Sequence, residues 1–135
     1  MNFLLDTCVI SELAKPRPEP KVVTWADKQA PETLFISVLT LGEIRKGIAR
    51  LNDKARVKRL NDWLEHELPV YFHGRILAID SQVADRWGRL LADAGRPVPV
   101  VDSLLAATAL THKMRLVTRN TRDLEHGGLK LVNPW

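Results

Sequence analysis

The sequence predicts an α/β fold with a central, mostly parallel sheet of about five strands covered by helices on both faces. Two patterns predict it. Five short apolar runs, NFLLD, TLFIS, RILAI, MRLVT and LKLV, are bounded by polar or turn residues as buried strands are. Most are separated by segments whose apolar residues recur at helical spacing, and strands alternating with helices form parallel sheets.

The elements follow in order. NFLLD stops at Asp6-Thr7, where either residue caps a helix beginning at Cys8 or Val9. KPRPEP (15–20) is a stiff turn between two helices rather than a domain linker. After TLFIS, Ser37 caps a helix with Leu41, Ile44, Ile48 and Leu51 on one face. Val57, Leu60, Leu64 and Leu68 form a second stripe, so residues 38 to 68 read as a helical hairpin turning near Asn52-Asp53. Asp80 caps the helix over 82–94, whose stripe is Val83, Trp87, Leu90, Leu91 and Ala94, closed by Gly95 and Pro97. Asp102 follows the apolar PVPVV and opens a buried helix over 103–113, with Asp102 and Ser103 placed to cap it.

Composition bounds the function. The 135 residues suit one domain, 1–135, long enough to bury about two-thirds of its unfolded surface. No apolar run approaches the roughly 18 residues of a membrane span, and no signal peptide is evident. The single cysteine, Cys8, excludes an internal disulfide and fits a reducing, cytoplasmic setting. The four histidines show no zinc spacing, and no phosphate-cradling glycine motif or nucleophile elbow occurs. Net charge is +4, concentrated between Arg45 and Arg59, where seven cations face one acid, Asp53. Such a run is either a solvated helix face or a track for phosphates.

The acids suggest the chemistry. Asp6, Glu43, Asp102, Asn120 and Asp123 all fall where a doubly wound sheet brings segments to one edge, the edge where ligands bind. Gly42 and Gly47 leave room beside Glu43. Carboxylates meeting there repel by several kcal/mol unless a basic group or divalent cation compensates. All-oxygen ligands favour Mg²⁺ or Mn²⁺. Cys8 reads as a packed thiol, and the four tryptophans as core or dimer contacts.

LLDTCVISEL, ISVLTLGEI, PVVDSLLAATAL and LVTRNTRDL, in this order and spacing, resemble the PIN-domain ribonucleases, more narrowly the VapC toxins of the FitB-like branch. The resemblance runs from residue 2 to the terminal NPW. It implies a flavodoxin-like three-layer α/β/α fold and a metal-dependent endoribonuclease acting on structured RNA such as tRNA or rRNA. It further implies a homodimer that joins a VapB-type antitoxin in a heterotetramer or larger assembly. By motif position Asp6, Glu43 and Asp102 are the catalytic, metal-holding acids. Ser37 and Thr118 match hydroxyl positions bordering the site, as does Thr7 beside Asp6. Two departures stand out: Cys8 where many members have Asn, and Asn120 where an acid is usual, with Asp123 three residues later. Asn120 and, through water, Asp123 are then auxiliary ligands, while Arg45, Lys46 and Arg50 track the RNA backbone. The competing reading keeps the family without the enzyme, as a degenerate, antitoxin-binding component of a DNA-binding repressor. A receiver-type signalling domain fits less well, because Asp6 has no acidic neighbour.

Overall fold

The computed structural model describes residues 1–121 and 128–135; Asp123 lies outside them. Five strands, β1 (Phe3–Leu5), β2 (Leu34–Ser37), β3 (Ile76–Leu77), β4 (Arg115–Val117) and β5 (Leu131–Val132), form one sheet in the order β3-β2-β1-β4-β5. Every pairing is parallel, with Phe3 beside both Leu34 and Arg115, and Val117 beside Val132. The chain adds strands on one side of β1 and then crosses to the other, so the order reverses between β1 and β4.

Side chains alternate across the sheet, and the two cores follow from that alternation. Phe3, Leu5, Leu34, Ile36 and Val117 face one side. They pack against α1 (Thr7–Leu13), α2 (Pro20–Asp27), α3 (Val38–Ala49) and α4 (Lys54–Asp62) through Val9, Ile10, Val22, Ile44, Ile48 and Leu60. Leu4, Phe35 and Leu116 face the other side, against α6 (Ser81–Ala94) and α7 (Val100–Thr111), through Leu90, Leu105, Ala106 and Ala109. Both faces of the sheet are therefore dry, as continuous apolar strands require.

Local signals act as expected at several ends. Ser37 accepts from Leu39 N at 3.1 Å, Asp53 from Ala55 N at 3.1 Å, and Asp80 from Val83 N at 2.9 Å. Gly95 closes α6 at φ +64°. The hairpin runs further than its apolar stripe indicates. After α4 it continues through a wide π turn, Trp63–Glu67, into α5 (Leu68–Tyr71), with Leu68 N bonding to Trp63 O. Pro69 accounts for this: it has no N–H for the carbonyl four residues back and its ring would strike it, so the preceding turn widens.

One boundary is corrected. Residues Val100 and Val101 belong to α7, whose N-cap is Pro99, so Asp102 sits inside the first turn rather than capping it. Pro99 supplies the extended ψ of 139° that an N-cap needs, and Val101 packs on the Leu4 core. That packing outweighs the strand preference of Val101, while Val100 stays exposed.

Candidate active site

Parallel strands end on one edge, and four predicted residues follow from that. Asp6 leaves β1, Ser37 ends β2, Thr118 leaves β4, and Glu43 lies on α3, which starts directly from Ser37. Helix α7 ends three residues before β4. A helix feeding a parallel strand so tightly must run back along the sheet, which places the Asp102 turn on the same side.

Asp6 is nearly buried, at 8% exposure, and both its oxygens are engaged. Oδ1 accepts from Thr7 N at 2.7 Å, and Oδ2 accepts from the Thr118 hydroxyl at 2.7 Å. The Thr7 hydroxyl donates to Glu43 Oε1 at 2.5 Å and lies 3.1 Å from the Thr40 hydroxyl, itself fully buried. Since Thr7 has one proton and gives it to Glu43, Thr40 is the donor in the second bond. Thr7 thus ties Asp6 to Glu43. Thr118 Oγ1 also accepts from Asn120 N at 3.1 Å, so Asn120 reaches the network through its backbone.

Cys8, where an amide is usual, packs against the core with its Sγ 3.9 Å from Thr118 Oγ1. Burial, then the Asp6 charge, push its thiol above the ordinary value, so it stays protonated. Asp6 keeps its orientation through Thr7 and Thr118 instead. Ser103, beside Asp102, is buried between Trp87 Nε1, which donates to it at 2.9 Å, and Val100 O.

The expected triad is not preassembled: among the described residues no three Asp, Glu, His or Cys side chains stand close enough to hold a metal together. Asp6 and Glu43 are joined through Thr7, and Asp102 shares their side of the sheet without completing a cage. Like charges favour arrangements in which hydroxyl and amide donors satisfy each carboxylate separately.

Beside Glu43 a cleft of about 570 Å³ opens between α1, α3 and α4, lined also by Gly47, Lys15, Arg56, Arg59 and Trp63. Gly42 and Gly47 leave space a Cβ would not crowd. Of the expected RNA-tracking cations, Arg45 instead bonds across the hairpin to Asn61 at 2.5 Å and Glu65 at 3.0 Å. Lys46 on α3 and Arg50 at its C-cap are exposed, outside the cleft lining. Arg56 and Arg59 take that place because α4 folds back over α3. Glu12 was also illegible in the sequence. It is buried at 8% exposure, accepting from Lys15 Nζ at 2.9 Å and Glu19 N at 3.0 Å. The Lys15 bond holds its carboxyl below the usual value. Glu12 so pins the proline turn that forms one lip of the cleft.

Comparison with known proteins agrees with this geometry. The model of the PIN domain matches residues 3–128. The plasmid stability protein StbB of Pseudomonas syringae is 39% identical over 98% of both chains. The VapC ribonuclease Y4jK of Sinorhizobium fredii is 37% identical over 98% of this chain and 97% of its own. The FitAcB crystal structure from Neisseria gonorrhoeae superposes with a TM-score of 0.91 at 34% identity, covering 98% of each chain. An edge of oxygen ligands on a parallel sheet, a basic cleft beside it and these likenesses over nearly the whole length lead to one assignment: the chain belongs to the PIN-domain family.

Proposed function

We propose that the protein is the toxin of a type II toxin–antitoxin pair, an endoribonuclease that uses Mg²⁺ or Mn²⁺ to hydrolyse structured RNA such as tRNA or rRNA. One observation carries the reading: Asp6 and Glu43 are tied together by Thr7 where the strand order reverses. PIN-domain nucleases are in general dependent on divalent metal. The residues here fit such an ion. The donors are all oxygen, Asp6 retains lone pairs beyond its two hydrogen bonds, and Mg²⁺ needs only one or two carboxylates besides water and substrate phosphate.

Asp6, Glu43 and Asp102 would hold the ion, with Asn120 and, through water, Asp123 as auxiliaries. When bound, the cation supplies charge that acidifies a water and offsets the phosphate charge. The chain's own groups do the positioning. Thr118 and Thr7 fix the two carboxylates, and Glu43 orients the attacking water from the cleft wall. Lys15, Arg56 and Arg59 hold RNA phosphates along the cleft, with Lys46 and Arg50 farther out. In-line attack leaves a 5′-phosphate and a 3′-hydroxyl.

The antitoxin partner has a matching surface. An apolar groove of about 390 Å³, lined by Ile10, Leu13, Leu68, Tyr71 and Phe72, meets the Glu43 cleft at Ala14 and Trp63. A partner segment seated there would deliver an arginine to the acids and block the site. The solved FitAB structure bound to a DNA fragment, with a TM-score of 0.89 at 34% identity, supports a DNA-binding assembly with a partner protein; in our reading the partner is VapB-type and the toxin a homodimer. Such a toxin works in the cytoplasm, on cellular RNA.

Purified protein should cleave RNA with Mg²⁺ and lose at least about a hundredfold in rate, roughly 2.7 kcal/mol of barrier, on chelation or in Asp6→Asn and Asp102→Asn. Growth should stop on expression of the native chain and continue with either variant. Cleavage that survives both chelation and Asp6→Asn would overturn the reading.

A further inference from the structure

At the other edge of the sheet, where β1, β4 and β5 begin, a second cavity of about 370 Å³ opens. Arg86 of α6, Lys113 after α7, Arg115 of β4 and Lys130 before β5 line it, with Met1 and Gly128; among the described residues no acidic side chain does. Arg115 Nε is buried with no hydrogen-bond partner among the described residues. Lys113 adopts φ +56°, a left-handed conformation that helix ends usually give to glycine or asparagine. The four cations form no ion pair with another described residue, whereas neighbouring Arg89 is neutralised by Asp85 at 2.9 Å. Cationic residues from three stretches of chain line this one cavity, and an anion bound between them would relieve their mutual repulsion.

We propose that this cavity is a phosphate-binding site. Arg86, Lys113, Arg115 and Lys130 supply the donors and the charge from its walls. Several donors arriving from different directions suit a phosphate, whose oxygens accept on all sides. The volume lies within the range of small-molecule sites, leaving room for the sugar that carries the phosphate. An adjoining groove of about 620 Å³ shares Arg86 and Lys113 and offers a path for a longer strand. The site uses none of the acids at the opposite edge, so it stands or falls apart from the nuclease reading.

The test uses the full chain without divalent cations, so that RNA stays intact. Inorganic phosphate is titrated against chloride at matched ionic strength while backbone amide NMR signals are followed. Saturable shifts should centre on Lys113, Arg115 and Gly128. Affinity should fall at least about tenfold, the worth of one charge-assisted contact, in Arg86→Glu/Lys130→Glu, both exposed positions, and again in Arg115→Met, which keeps the apolar stem. Circular dichroism establishes that the variants are folded. Shifts that never saturate, or that folded variants leave unchanged, would overturn the proposal. Binding of a single-stranded oligoribonucleotide at varied salt then separates the sources of phosphate. A log–log slope reduced by about 1.4 in the double variant assigns the site to a nucleic-acid strand, and an unchanged slope with lost phosphate binding assigns it to a free nucleotide.

Discussion

Asp6 could be read as a helix cap or as a metal ligand, and the structure makes the two compatible. Its Oδ1 meets Thr7 N at the start of α1, while Thr118 fixes Oδ2 at the strand edge. Thr118 is fully buried, so its hydroxyl has no water to fall back on. Replacing it with valine keeps the shape but strips a donor from Asp6 and an acceptor from Asn120 N. Thr118→Val should cost about 1–3 kcal/mol in urea unfolding, the penalty for unmet buried polar groups, and should slow cleavage. Thr118→Ser should recover most of both. A valine variant as stable and active as the native chain would remove Thr118 from the network.

At the scale of the element, helix ends and kinks depend on single backbone conformations. Gly95 ends α6 in the left-handed region, and an added Cβ there would meet no atom within 4 Å. The cost of Gly95→Ala is therefore conformational rather than steric. It should be about 1 kcal/mol, a drop of roughly 4 °C in the thermal midpoint of a domain this size. Calorimetry checks it. Lys113 occupies the same conformation without the excuse of being glycine, which is why its charge over the basic cavity matters. In the hairpin, Pro69 widens a turn and thereby sets how Leu68 and Phe72 reach the core.

For the whole molecule, the parallel sheet separates two sites by one strand length, about 10 Å for three residues. Asp6 and Glu43, with the basic cleft beside them, lie where the strands end, and the cavity of Arg86, Lys113, Arg115 and Lys130 lies where they begin. The apolar groove joins the acidic edge from the side, and Tyr71 stands at its rim, 51% exposed. Arg75 stacks on the Tyr71 ring with 5.2 Å to its centroid and bonds to Leu34 O at 2.6 Å, which anchors the rim to the sheet. Tyr71→Asp removes the aromatic rim and adds a carboxylate to the Asp27 and Glu67 already lining the groove, and should weaken antitoxin binding at least about tenfold by calorimetric titration. Unchanged affinity would move the partner to another face.

The sequence alone determined the alternation of strands and helices, the hairpin over 38–68, the caps at Ser37 and Asp80, and the place of Asp6 directly after its strand. Each of these is written in local spacing, since periodicity, caps and turns act over a few residues. Tertiary structure decided which groups meet. Thr118 reaches Asp6 across 112 residues and Thr7 reaches Glu43 across 36, and nothing in local spacing encodes either pair. The same holds for the burial of Glu12, for Arg56 and Arg59 rather than Arg45 beside the cleft, and for the four cations lining the cavity at the other edge. It holds too for Asp102, which packing on the Leu4 core drew into the first turn of α7. Side-chain partnership at a sheet edge follows from how layers pack, and packing is settled only when distant segments come together.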